Sequence, residues 1–343
     1  MSRTSTLPVA ADTSRAYAWP DGFPRVPDEA WAHAEPDRFG RQYDSVDGHG
    51  WYKNLEPTVS QVLAALPDDG LLLDYSCGTG ILARRILARA DRRFGILNVD
   101  ASPKFLRIAV DTLGDDPRVA FRLQQLLKQE RRLELLDEAV DAGVLARGVD
   151  VLTSTNAIHL YYDLEDTLAS WHRAVRPGGH VFVCSGNLRN PQRRPGDWII
   201  DETVAEINEI AADLVRDDPA YAEYRDVLDD AERMTAYRRL REKVFVPVRP
   251  LELYLSAFER SGFSVQHVYE TTVFARVDEW YQLLAAYSDG VLGWIGGSKK
   301  IDGREPTPAA LEHRLAAIRT SLATLFPDRE SFPCSWTYLT CRR

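Results

Sequence analysis

Between residues 71 and 185 short apolar segments alternate with helical ones, and that rhythm leaves the chain few folds to choose from. The pattern predicts strands over 71–75, 94–99, 119–123, 148–155 and 180–185. Helices are expected over 81–90, 103–113, 126–142 and 164–175, with RPGG (176–179) forming a turn before the fifth strand. The strands are nearly all apolar instead of alternating, as strands buried on both faces must be. Repeated strand–helix units of this kind build a doubly wound α/β sheet, here seven-stranded, mostly parallel and Rossmann-like.

Around this core the reading divides the chain. Residues 1–15 are expected to be a mobile tail, 16–66 an N-terminal helical cover and 67–186 the α/β core. Residues 187–250 read as a helical cap insertion. The core resumes over 251–343, interrupted by an insertion at about 270–330.

The bulk numbers narrow the function. A net charge of -9 with no clustered basic stripe argues against a nucleic-acid partner. No apolar run approaches a membrane span and no signal-peptide core is evident, so a cytoplasmic location is expected. Cys77, Cys184, Cys334 and Cys341 are dispersed, which disfavours a disulfide framework or a metal site. The oligomeric state, including a homo-oligomer, stays open.

The chemistry concentrates in LLLDYSCGTG, residues 71–80. In an open parallel sheet, ligands bind beyond the carboxyl ends of the strands. Gly78 and Gly80 permit close backbone approach there, and the helix that follows offers free N–H groups. Asp100, at the end of the second strand, can accept both hydroxyls of a ribose. A dinucleotide site would share these features, since Gly78, Gly80 and Ala83 satisfy a loose G-x-G-x-x-A. Asp74 tilts the balance. It would repel a pyrophosphate but attract an α-amino group.

Read together, LLLDYSCGTG, NVDASP (98–103), DVLTSTNAIHLYYDL (150–164) and RPGGHVFV (176–183) resemble, in order, four motifs of class I S-adenosylmethionine-dependent methyltransferases. The resemblance implies S-adenosylmethionine as cofactor. Asp74, Ser76, Cys77, Gly78 and Gly80 would then surround its methionine end, and Asp100 its ribose. Ala101 and Ser102 would lie beside the adenine, and Asn156 would bring its backbone near the sulfonium. Where the family often has an acidic residue after the third strand, this chain has Gln124 and Gln125. Gln125 is taken as the adenine partner, the alternative being that both glutamines cap the next helix.

His159 is the best-placed general base, with Tyr161 beside it; the alternative is a histidine that only hydrogen-bonds or packs. Tyr52, Tyr162, Arg189 and Trp294 are the expected substrate contacts. In the cover, Tyr43 and Trp51 join Tyr52 as aromatics that could close over the cofactor. The segment WYQLLAAYSDGVLGWIGGSKK (280–300) loosely resembles the substrate-side insertion of small-acid carboxyl methyltransferases. The expected function is methyl transfer to a small metabolite, with an oxygen or carboxylate acceptor favoured. The rivals are a nicotinamide-dependent oxidoreductase and a cofactor-binding regulator without catalysis.

Overall fold

The computed structural model describes residues 16–343, so the expected tail at 1–15 lies outside the described residues. Seven strands form one sheet: β1 (Gly70–Tyr75), β2 (Phe94–Asp100), β3 (Val119–Leu123), β4 (Val149–Thr155), β5 (Val175–Ser185), β6 (Ser264–Arg276) and β7 (Ser331–Arg342). Their order is β6-β7-β5-β4-β1-β2-β3, and β7 runs antiparallel to both its neighbours while the rest pair in parallel. The expected sheet is present.

Strand periodicity decides what each face carries. In β1, Leu71, Leu73 and Tyr75 enter one core, whereas Leu72 enters the other. In β2, Leu97 and Val99 share the first core, and Phe94 and Ile96 the second. Asp74 and Asp100 therefore fall by alternation on the face of Leu72 and Ile96. That face is covered by the N-terminal segment and the cap: helix Leu55–Ala65, the cap helix Glu202–Asp217, and Trp280 of helix Val277–Ala286. The opposite face packs on helices Leu164–Ala174 and Leu251–Arg260.

Two local expectations fail. No single helix spans 126–142. Leu126–Leu127 pairs with Arg132–Leu133 as a small hairpin, and short helices Leu136–Ala139 and Ala142–Arg147 follow. Arg131 turns the chain at φ 57°, and Arg132 clamps Glu138 through contacts of 2.6 and 2.9 Å. Leu126 and Leu133 in the hairpin remain exposed, and only Leu136 and Val140 of this span enter the core. The RPGG segment is also not a turn ahead of β5 but an excursion within it. Val175 pairs with Val149 and His180 with Val151, and Gly178 takes a φ of 78° between them. β6 continues to Arg276, within the span read as the second insertion.

Candidate functional site

The loop after β1 is built from backbone geometry that few residues tolerate. Ser76, Gly78 and Gly80 all have positive φ, at 60°, 58° and 79°. Asp100 fastens this loop to the next: its Oδ2 accepts from the Gly78 N–H at 2.8 Å and its Oδ1 from the Ser102 N–H at 2.7 Å. Burial raises the Asp100 carboxyl above its ordinary value even though backbone amides oppose the shift. Two charge-assisted hydrogen bonds leave further lone pairs for hydroxyl donors.

The two glycines serve different ends. A Cβ on Gly80 would lie 2.9 Å from Leu113 Cδ1 and 3.2 Å from Ala109 Cβ, so this position is glycine for packing against helix Pro103–Leu113. A Cβ on Gly78 would meet only Tyr43 Cε1, at 3.7 Å. Gly78 is the position with room in front of it. The Cβ side of Gly80 is thus occupied by this helix, so any part it has at the methionine end rests on its backbone.

Asp74 is fully buried. Its Oδ1 accepts from Thr153 Oγ1 at 2.8 Å, the residue opposite it on β4, while its Oδ2 has no partner among the described residues. Burial, opposed by the Thr153 hydroxyl and reinforced by the charge of Asp100, pushes this carboxyl up to about 7. A buried carboxylate oxygen without a donor is expensive. An α-ammonium group would supply the missing donor, so the donor set fits the methionine end of the cofactor.

At the exit of β4, Asn156 has a φ of 57° and donates its N–H to the Cys184 carbonyl at 2.8 Å. Its side chain is held at both ends, the oxygen accepting from Trp336 Nε1 at 2.9 Å and the nitrogen donating to Asn54 Oδ1 at 3.3 Å. Tyr338 in turn donates to the Asn54 carbonyl. Asn54 and Trp336 therefore join the cover and β7 to the site. Sequence reasoning missed both, because their relevance rests on strand order and on contacts distant in the chain. Tyr52 is buried, with its hydroxyl 3.3 Å from that of Tyr43, and Tyr43 stacks on Phe105. The cover is packed onto the cofactor loop.

In the expected catalytic pair, His159 is buried, Tyr161 is half-buried and both are hydrogen-bonded. His159 Nδ1 lies 3.1 Å from Ser185 Oγ, and its Nε2 lies 3.2 Å from Asn187 Nδ2. Burial and the nearby Arg249 guanidinium push its pKa down to about 3. Both nitrogens are engaged and the ring is neutral, so this arrangement leaves no lone pair for a substrate proton. The geometry matches the alternative reading, a histidine that hydrogen-bonds instead of moving a proton. Tyr161 is bonded through its hydroxyl to Ser76 Oγ and Ser154 Oγ, both at 2.8 Å, and burial keeps the phenol protonated. It braces the loop.

The remaining expectations divide. Cys77 is buried and its thiol is pushed well up by burial. Ala101 is exposed, and Ser102 caps the following helix. Gln124, not Gln125, turns inward, donating to Tyr75 and to the Glu134 carbonyl; Gln125 is exposed at the hairpin, with its backbone paired to Glu134. Neither caps a helix, since no helix begins there. Tyr162 is 72% exposed. Arg189 is spent on Glu202, 2.9 Å away, which Arg193 also approaches. Trp294 is buried and donates to Asn208 within the cap.

Comparison with known proteins meets this geometry. Residues 73–181 match the model of a methyltransferase domain family. The YqeM protein of Bacillus subtilis (strain 168) is 27% identical over 158 residues, covering 46% of this chain and 51% of that protein. The hybrid PKS-NRPS synthetase apdA of Emericella nidulans is 28% identical over 154 residues, covering 43% of this chain and 4% of the synthetase. Among solved structures, the YcgJ protein from Bacillus subtilis is similar with a TM-score of 0.48 and 15% identity, covering 85% of this chain and 98% of that one. The sequence matches thus span about half or less of these curated relatives. The sheet, the loop after β1 and the matched family define a class I, Rossmann-like methyltransferase domain. The chain's core is an S-adenosylmethionine-dependent domain of that class.

Proposed function

We propose that the whole protein is an enzyme that transfers a methyl group from S-adenosylmethionine to a small-molecule acceptor, with an oxygen or carboxylate acceptor favoured. The observation that carries the reading is the pairing of Asp74 and Asp100 on one face around the loop, one with an orphaned oxygen and the other fastening two loop amides. Asp74 would hold the α-ammonium, Asp100 the ribose hydroxyls, and the backbone around Gly78 the carboxylate end. When bound, the cofactor supplies a methyl group activated on a sulfonium. The chain's own part is to orient the partners and exclude water, and orientation alone is worth about 7–11 kcal/mol in favourable cases.

A small acceptor is supported by the cap and cover, which pack over the cofactor face and leave little room for a macromolecule. The matching segment of a polyketide–nonribosomal peptide synthetase supports a role in specialised metabolism. The acidic balance favours a partner other than nucleic acid, and a cytoplasmic setting is part of the proposal. No helix among the described residues is long and apolar enough to cross a membrane. Melting the protein with S-adenosylmethionine, S-adenosylhomocysteine and NAD(H) tests the cofactor: the first two are expected to raise the melting temperature. Stabilisation by NAD(H) alone would overturn the reading. Transfer of labelled methyl to a component of a metabolite extract tests catalysis, and cofactor binding without transfer to any extract would favour the regulatory rival.

A further inference from the structure

We infer that the helical cap holds a binding site for a small organic anion, centred on Arg241. This residue lies on the cap helix Ala231–Val244 and is partly buried between two cavities of about 200 and 260 Å³. No residue of the cofactor loop lines either one. Its guanidinium makes no hydrogen bond and no ion pair to any described residue. Glu209 and Glu242 act on it only at a distance, and Arg238 acts against it. Its five N–H donors are thus not taken up by the protein and are open to an acceptor brought into the cavity.

The neighbourhood repeats the message. Arg238, one turn earlier on the same helix, also lacks a described partner and lines the larger cavity. Arg216 lines it too, though it is paired with Asp213 at 2.8 Å. Three arginines face this larger cavity against the single carboxylate of Glu209, whereas Asp201, Glu202 and Glu242 line the smaller one beside Arg189, so the anion is placed in the larger. The other walls are apolar: Leu228, Met234, Val291 and Trp294. A charged fork beside an apolar wall suits a carboxylate or phosphate monoester carrying a short hydrocarbon body. The volumes fall below the ~300–1,000 Å³ of drug-sized sites, so the ligand is small.

The site does not depend on the methyl-transfer reading and is tested by binding alone. Calorimetry on the full chain uses hexanoate, hexyl phosphate and, as the uncharged control, hexanol. Saturable binding of at least one anion, without binding of hexanol, is expected; whichever anion binds tighter identifies the head group. Arg241→Gln should weaken that binding about tenfold or more, because a hydrogen-bonded charge is lost. Arg238→Gln should weaken it less, and Arg241→Lys should restore part of the affinity. Affinity for S-adenosylhomocysteine and the melting temperature report whether each variant is folded. Should Arg241→Gln fail that check, Arg241→Lys and Arg238→Gln carry the test. Binding of neither anion, equal binding of hexanol, or affinities unchanged in the folded variants would overturn the inference.

Discussion

The hydroxyl of Tyr161 lies 2.8 Å from Ser76 Oγ, joining the segment after β4 to a loop residue held at a φ of 60°. A non-glycine residue in that region is strained, by about 1–3 kcal/mol, and persists only where its surroundings hold it. Tyr161 is such a holder, and it reaches Ser154 on β4 as well. Tyr161→Phe keeps the ring packed between Tyr75 and Trp171 but removes both bonds. It is expected to cost about 1–3 kcal/mol in stability and to weaken S-adenosylhomocysteine binding several-fold. Denaturant unfolding and calorimetry measure the two effects separately.

Gly78 and Gly80 should respond to alanine in opposite ways. Both have positive φ, so each substitution carries backbone strain of about 1 kcal/mol. Gly80→Ala adds a clash with Leu113 and should mainly lower the melting temperature. Gly78→Ala meets only Tyr43 at contact distance and should fold, yet lose cofactor affinity by partly filling the space in front of the loop. Equal losses of stability in both variants would contradict this division.

Asp100→Asn tests the loop fastening. An amide offers one oxygen where the carboxylate offers two, so either the Gly78 or the Ser102 N–H loses its acceptor. Binding of S-adenosylhomocysteine is expected to fall more than tenfold, while unfolding free energy drops by about 1–3 kcal/mol. Unchanged affinity would remove Asp100 from the site.

These effects also mark what was legible in the chain. Apolar strands, the loop after β1 and the two aspartates could be read in order, because each depends on local pattern and on the known place of ligands beside parallel sheets. The roles of Thr153, Asn54 and Trp336 could not. Thr153 matters because it sits opposite Asp74 in the strand register, and Trp336 because β7 lies beside β5. The hairpin at 126–133 was hidden by charged residues that also suit a helix, and it shows in the backbone pairing of Leu126 with Leu133 and in the Arg132–Glu138 clamp. His159 drew attention as a titratable residue in the right segment; its partners Ser185 and Asn187 lie on and just beyond β5.

His159 makes a pH prediction of definite sign. Its folded pKa of about 3 lies below the ordinary 6.5, so folding favours the neutral ring. The resulting stabilisation is fully present above 6.5 and is lost as pH falls toward 3, by about 1.4 kcal/mol per unit. The stability difference between the native chain and His159→Gln should therefore be largest above pH 6.5 and shrink in acid. A His159 resonance titrating near 6.5 would contradict the buried, neutral ring.

Asp74 carries the opposite sign. Its carboxyl, raised from 3.8 to about 7, keeps its proton in the folded chain where the unfolded chain has lost it. Its contribution to stability therefore falls as pH rises from about 4 to about 7 and is constant beyond. Asp201 is also pushed up to about 7 by burial, so the native chain alone would report both groups; the difference from Asp74→Asn isolates one. If an α-ammonium pairs with Asp74, cofactor binding must favour the charged carboxylate and release a proton between those pH values. Calorimetry of S-adenosylhomocysteine at about pH 5.5, in buffers of different ionisation enthalpy, should then show release of up to one proton, with affinity rising toward pH 7. Asp74→Asn should abolish the release. A native chain that binds the cofactor with no proton released would place the ammonium on another residue.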